Sequence, residues 1–141
     1  MKYATRMLVL ALTMLPLLAT AQLTGSEKIV AQVPFGFVVG SKVVPSGEWI
    51  VQRATLGEKI LSIRNTDAEV GMFSNTSLVE AKKAPGDCTL VFHKYGNQYF
   101  LSGVSIAGTP IGYRLHESKA EAETRAQNVP ATEEILVASL K

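Results

Sequence analysis

The residues of this chain that could do chemistry are few: one cysteine, two histidines, and a scatter of serines and carboxylates. Cys88 and His93 would form a thiolate–imidazole pair if they met. They stand an odd number of residues apart in a segment that alternates like a strand, so their side chains leave opposite faces. Gly103-Val104-Ser105-Ile106-Ala107 comes close to a hydrolase nucleophile elbow. It fails at Ala107, where glycine is required, and in context. The elbow needs a helix after the serine, and Gly108-Thr109-Pro110 breaks one.

His116, Glu117 and Glu121 could form a mixed metal site, but the chain has no His-x-His or Cys-x-x-Cys spacing. A solvated helix start is the plainer reading of those three residues. Asn75-Thr76-Ser77 matches the glycosylation triplet, which in a chain with a bacterial-looking leader is read as chance. Lys82-Lys83 reads as a solvated loop before a turn. No motif specifies a reaction or a cofactor, so no catalytic residue, metal or cofactor is assigned.

The more informative residues lie in a hairpin. Cys88 to Tyr95 and Gln98 to Ser105 read as strands joined at Gly96-Asn97, two residues that accept the positive φ of a primed turn. That turn pairs Lys94 with Tyr99 and Phe92 with Leu101. One face then carries Cys88, Leu90, Phe92, Tyr99, Leu101 and Gly103, the better core candidate. The other carries Val91, His93, Tyr95, Phe100 and Ser102. If solvated, His93, Tyr95 and Phe100 form an aromatic patch for a ligand or partner. If covered by the C-terminal segment, they are a second layer of core.

The elements around this hairpin are short extended runs punctuated by turns. Glu27 to Phe37, the pieces around Gly40-Ser41, Glu48 to Arg53, Lys59 to Asn65 and Glu69 to Asn75 all have strand character. Pro45-Ser46-Gly47 and Pro85-Gly86-Asp87 mark turns. Ser118-Lys119-Ala120-Glu121 fits a capping box and opens a short, solvated helix. Ile135-Leu136-Val137 closes the chain as a last strand. The pattern predicts an all-β fold: an antiparallel β-barrel or β-sandwich of about eight short strands, with one short helix near the C-terminus. The expected core includes Trp49, Val51, Leu61, Ile63, Leu90, Phe92 and Leu101.

The first residues predict an address. Lys2 and Arg6, the apolar run Met7 to Leu18, and Ala19-Thr20-Ala21 have the layout of a secretory signal peptide over residues 1–21. The apolar run falls short of the ~20 residues needed to span a bilayer. No second such run follows, so no stable membrane insertion is expected after cleavage. Residues 22–141 form the expected single β-domain. Removing Lys2 and Arg6 from the 14 basic residues leaves them equal to the 12 acidic ones, so the mature chain has no electrostatic footprint for nucleic acid. A single cysteine forms no internal disulfide, and Cys88 reads as a small buried hydrophobe.

Val33-Pro34-Phe35-Gly36-Phe37-Val38-Val39-Gly40, Pro45-Ser46-Gly47-Glu48-Trp49-Ile50-Val51 and the Leu90-to-Leu101 hairpin resemble a group of small exported proteins of environmental bacteria. That group shows V-P-F-x-F-x-x-G, P-x-G-x-Y/W-x-V and L-V-F-H-x-Y-G segments, and a charged helix before the end. The resemblance covers nearly the whole mature chain and implies no activity; Trp49 stands where Tyr is usual.

The resulting expectation is a non-enzymatic exported β-domain, a binding or structural module of the periplasm, cell envelope or exterior. Its expected partner is an envelope protein, a glycan or a small apolar ligand. The alternatives are a small hydrolase-like enzyme, with carboxylates and His93 brought together only by the fold, and a barrel holding an apolar ligand.

Overall fold

A computed structural model describes residues 27–55, 57–67, 69–127 and 129–141. The signal-peptide reading of residues 1–21 lies outside the described residues. Short alternating runs between turns become ten strands and one helix. These are β1 (Lys28–Val33), β2 (Phe37–Val39), β3 (Lys42–Val44), β4 (Gly47–Arg53), β5 (Ile60–Asn65), β6 (Gly71–Glu80), β7 (Cys88–Tyr95), β8 (Gln98–Ser105), β9 (Ile111–Leu115), α1 (Lys119–Ala126) and β10 (Ala131–Leu140).

Eight of the strands close into a barrel in the order β1–β4–β5–β6–β9–β8–β7–β10, with β10 returning to β1. Every pairing in the ring is antiparallel. Closure pairs the backbone groups that an open sheet would leave at its edges. The ten residues of β6 are divided between two neighbours: Ile60 to Arg64 take its first half, and Ile111 to Leu115 its second. The β2–β3 hairpin stands outside the ring, joined to β8 by a parallel bridge between Val38 and Phe100.

All seven residues expected in the core are buried. Inward positions of β1 and β4, including Ile29, Ala31, Val33, Trp49 and Val51, meet those of β5, β7 and β8. The centre is aromatic: Phe37 lies edge-on to Trp49 at 5.1 Å and to Phe92 at 5.2 Å. Phe35 stacks on Tyr99 at 3.7 Å. Eight strands enclose a space that side chains can just fill, and here they fill it. The indole Nε1 of Trp49 donates to the Pro45 carbonyl at 3.1 Å, so its polar atom is satisfied as its ring is buried.

The structure departs from the sequence reading at several points, among them β6, which runs on past Asn75 to Glu80. β9 is absent from that reading, because Gly112 and Arg114 interrupt its apolar pattern. β10 begins at Ala131, well before Ile135, since Thr132, Glu133 and Glu134 pair along β7 at positions open to solvent. Finally, the β7–β8 register shifts between Val91 and Phe92. Leu101 faces Phe92 and Gly103 faces Val91, so Ser102 is the extra residue of a bulge. The bulge turns Gly103 outward and puts Val104 in the core, reversing the expected place of Gly103.

Candidate functional site

The β7–β8 hairpin turns at Gly96-Asn97, with Gly96 at φ 60°. Lys94 pairs with Tyr99, His93 with Phe100 and Phe92 with Leu101. Alternation therefore puts His93 and Tyr95 on the barrel's outer surface and Cys88 inside. Cys88 is buried, and its Sγ accepts from the Ala107 N–H at 3.3 Å. It does not meet His93.

Helix α1 lies against this outer surface. Ser118 is its N-cap, and the Ser118 hydroxyl accepts from the Glu121 N–H at 3.1 Å. Only half of the capping box forms. The Glu121 carboxylate turns toward the barrel instead of back to Ser118. Its Oε1 lies 2.5 Å from His93 Nδ1 and accepts from the Tyr95 hydroxyl at 3.1 Å.

The Glu121 side chain is only 7% exposed, and His93 is 38% exposed. A carboxylate is stable at such depth only with partners, and two side chains from β7 supply them. Burial raises the Tyr95 pKa above its ordinary value, as do its hydrogen bond to Glu121 and the negative charges of Glu121 and Glu117. Arg125 opposes the rise.

The three residues singled out from the sequence are thus divided. Tyr95 and Phe100 are buried beneath α1, their rings edge-to-face at 5.6 Å, as a second layer outside the barrel wall. Tyr95 bonds to α1 through Glu121, and Phe100 lies where α1 and the β2–β3 hairpin border one cleft, so of the two alternatives both rings take the covered one. His93 keeps one edge open, and its Nε2 has no hydrogen-bond partner among the described residues. The helix is seated on the barrel through Glu121, where the sequence predicts a freely solvated one.

Beside α1 a cleft of about 580 Å³ runs over the outer surface of β7, β8 and β9. His93, Val91, Gly103, Ser105 and Arg114 line its floor, Glu117, Glu121 and Arg125 its helical side, and Glu133 its β10 side. Arg125 and Glu117 are joined twice, at 2.8 and 3.3 Å. Arg114, Glu133 and Ser105 have no side-chain partner among the described residues. A Cβ added at Gly103 would lie 3.4 Å from the Tyr113 carbonyl and 3.7 Å from Val91 Cβ. A methyl group therefore fits there, and a longer side chain has to enter the cleft.

Glu121 was legible as a capping residue and as a member of a mixed metal site, not as the partner of His93. Glu121 and Arg125 stand four residues apart, which puts them along one side of α1, and Glu117 lies just before the Ser118 N-cap. That spacing was the available signal for the cleft's helical wall. Arg114 gave none. His116, Glu117 and Glu121 do not converge: Glu117 meets Arg125, and Glu121 meets His93. Among the described residues, no group of three or more His, Cys, Asp or Glu side chains could hold a metal ion.

Ser105 ends a strand that passes through a turn into β9, with no helix after it. The Thr76 hydroxyl of the glycosylation triplet is taken up by the Lys59 carbonyl at 2.8 Å inside the wall. Among the described residues, no helix is long and apolar enough to cross a membrane. Comparison with protein-family models, with curated proteins and with solved structures finds no match for this chain.

Proposed function

We propose that this protein is an exported binding module of the periplasm, cell envelope or exterior, and that it takes a polar partner in the cleft beside α1. The carrying observation is where unpartnered polar groups collect. The barrel interior is occupied by Trp49, Phe37 and Phe92, which argues against an apolar ligand held inside it. The outer cleft has His93 Nε2, Arg114, Ser105 and Glu133 with hydrogen-bonding capacity to spare. Export rests on the layout of residues 1–21.

The test fills the cleft without touching its polar groups. Residues 22–141 and the Gly103→Leu variant are each used to capture species from the envelope fraction, with proteins and glycans identified by mass spectrometry. The species retained by the unmodified chain should be lost by the variant while its thermal melt is unchanged. Equal retention by both would remove the cleft from the account.

A hydrolase-like reading has one observation in its favour. Glu121 orients His93 as a carboxylate orients a catalytic imidazole, with Nε2 left open. Against it, neither cleft serine is hydrogen-bonded to His93, and Ser102 gives its hydroxyl to the Val91 carbonyl at 3.0 Å. The binding reading needs no nucleophile and is preferred.

A further inference from the structure

We propose that α1 is a displaceable clip, and that the clefts on its two sides are halves of one groove built for a polyhydroxylated chain, a glycan. This rests on the binding reading of the first cleft and extends it beneath the helix.

The clip follows from how α1 is held. Its only apolar residues are Ala120, Ala122 and Ala126, and its only buried residue is Glu121. Helices in small proteins are usually anchored by an apolar stripe of large side chains, and this one has none. Its polar attachments among the described residues are the two bonds at Glu121 Oε1 and an exposed contact from Thr124 Oγ1 to Gln98 Oε1 at 3.2 Å, and beneath it lie the Tyr95 and Phe100 rings. Polar contacts of this kind exchange for water at small net cost once the groups become accessible. Regions with few buried apolar contacts are those that open locally.

The groove follows from what lies on either side. Glu117, Glu121 and Arg125 border the first cleft. Ala120, Glu123, Thr124 and Gln127 border a second, of about 590 Å³, which extends over the β7–β8 turn and the β2–β3 hairpin. Between them lie two touching rings, Tyr95 facing the first cleft and Phe100 the second. Lifting α1 would bare this pair and join the two clefts over one aromatic floor.

The walls of the joined groove define the ligand. On one side stand Ser41, Asn97 and Gln98, and on the other His93, Arg114 and Glu133. Hydroxyl and amide groups each both donate and accept, and the charged groups add strong donors and acceptors of opposite sign. A neutral chain of sugar rings matches this set. Its hydroxyls serve the donors and acceptors without burying a net charge, and its C–H faces lie on aromatic rings. The length of the groove, running under the helix from one cleft to the other, fits several rings better than one.

If only the open state binds, the closed clip reduces the apparent affinity by the open fraction. The test uses mature chain 22–141 with cellohexaose and chitohexaose as probes. Dissociation constants come from calorimetry, and opening from hydrogen exchange. Glu121→Ala should accelerate exchange of residues 118–127 about tenfold or more, leave the β7 and β8 amides unchanged, and tighten hexaose binding about tenfold.

Gln98→Cys with Thr124→Cys, bridged by a short bis-maleimide, pins the clip and should abolish binding. The control is the same double variant left unbridged, so that loss of the Gln98 amide and of its contact with Thr124 is common to both and only the tether differs. Phe100→Ala in the Glu121→Ala background should also lose the hexaose.

Binding that survives the bridge overturns the clip, as does a Glu121→Ala chain that binds neither hexaose. If the bridge has no effect but Gly103→Leu still abolishes binding, the clip falls and the first cleft stands. If Gly103→Leu has no effect but the bridge abolishes binding, the first cleft falls and the clip stands on the second.

Discussion

Strand β7 serves two regions built on different physics. Its inward side chains, Cys88, Leu90 and Phe92, join a core whose aromatic rings are packed together and whose polar atoms are few. Its outward side chains, His93 and Tyr95, join a polar layer held around a single buried carboxylate. The core is stabilised by area removed from water and by close contact, neither of which depends on a particular partner. The outer layer is stabilised by a few directed bonds that water can replace. The first arrangement suits a scaffold that never opens. The second suits a surface that exchanges one occupant for another.

The largest test of this contrast is Phe92→Ala. It should cost about 3–5 kcal/mol in urea denaturation, from lost burial and the cavity left among Phe35, Phe37 and Leu101. A cost below about 1 kcal/mol would mean that the core is not where the stability lies.

Removing the polar anchor should cost less. Glu121→Ala is expected to lower global stability by about 1 kcal/mol, because His93 and Tyr95 regain water as α1 loosens. A loss of about 3 kcal/mol would show that the helix is integral to the fold, and would erase the contrast.

A similar cost of about 1 kcal/mol is expected at neutral pH for Tyr95→Phe, which deletes one donor to Glu121. Here pH offers a second measurement. The Tyr95 pKa is raised above 10.0 in the fold, chiefly by burial and then by Glu121. Above that value the unfolded chain loses the phenol proton while the folded chain keeps it. The associated stability is therefore fully present below pH 10 and declines as pH rises through the folded value. Denaturation midpoints measured from pH 8 upward should fall more steeply for the native chain than for Tyr95→Phe. Parallel curves would place the Tyr95 hydroxyl in water.

The smallest effect is expected at the cleft floor. Gly103→Ala adds a methyl at ordinary contact distance from Val91 and should change stability by less than about 1 kcal/mol in either direction. A larger loss would show that the floor is packed and that Gly103→Leu is unfit to probe binding.

Much of the fold was legible because it depends on local periodicity. Cys88–Tyr95 and Gln98–Ser105 were placed to the residue, because alternating runs flank a turn whose two residues both accept positive φ. Trp49, Val51, Leu61 and Ile63 showed their inward side by the same alternation. The bulge at Ser102 was not legible. An extra residue leaves no mark in a run whose following positions, Gly103 and Val104, both tolerate either face.

The candidate site was half legible. His93, Tyr95 and Phe100 emerged as a face because strand alternation sorts neighbours on one hairpin. Their cover did not emerge. Glu121 is 28 residues from His93, and a Glu in a first helical turn has an ordinary local role as a cap. Nothing local distinguishes a carboxylate that caps its own helix from one that reaches another element.

By itself, then, the sequence determined the class of structure, the hairpin and its register at the turn, the inward residues of the early strands, and the presence of a short capped helix. Each of these follows from interactions between residues near in the chain or from the two-residue period of a strand. Only the tertiary structure decided that the wall closes into a barrel, that Tyr95 and Phe100 lie under α1, and that Glu121 joins His93. Those outcomes depend on which distant surfaces meet. That choice is made by burial and charge pairing summed over the whole chain, and no local pattern encodes it.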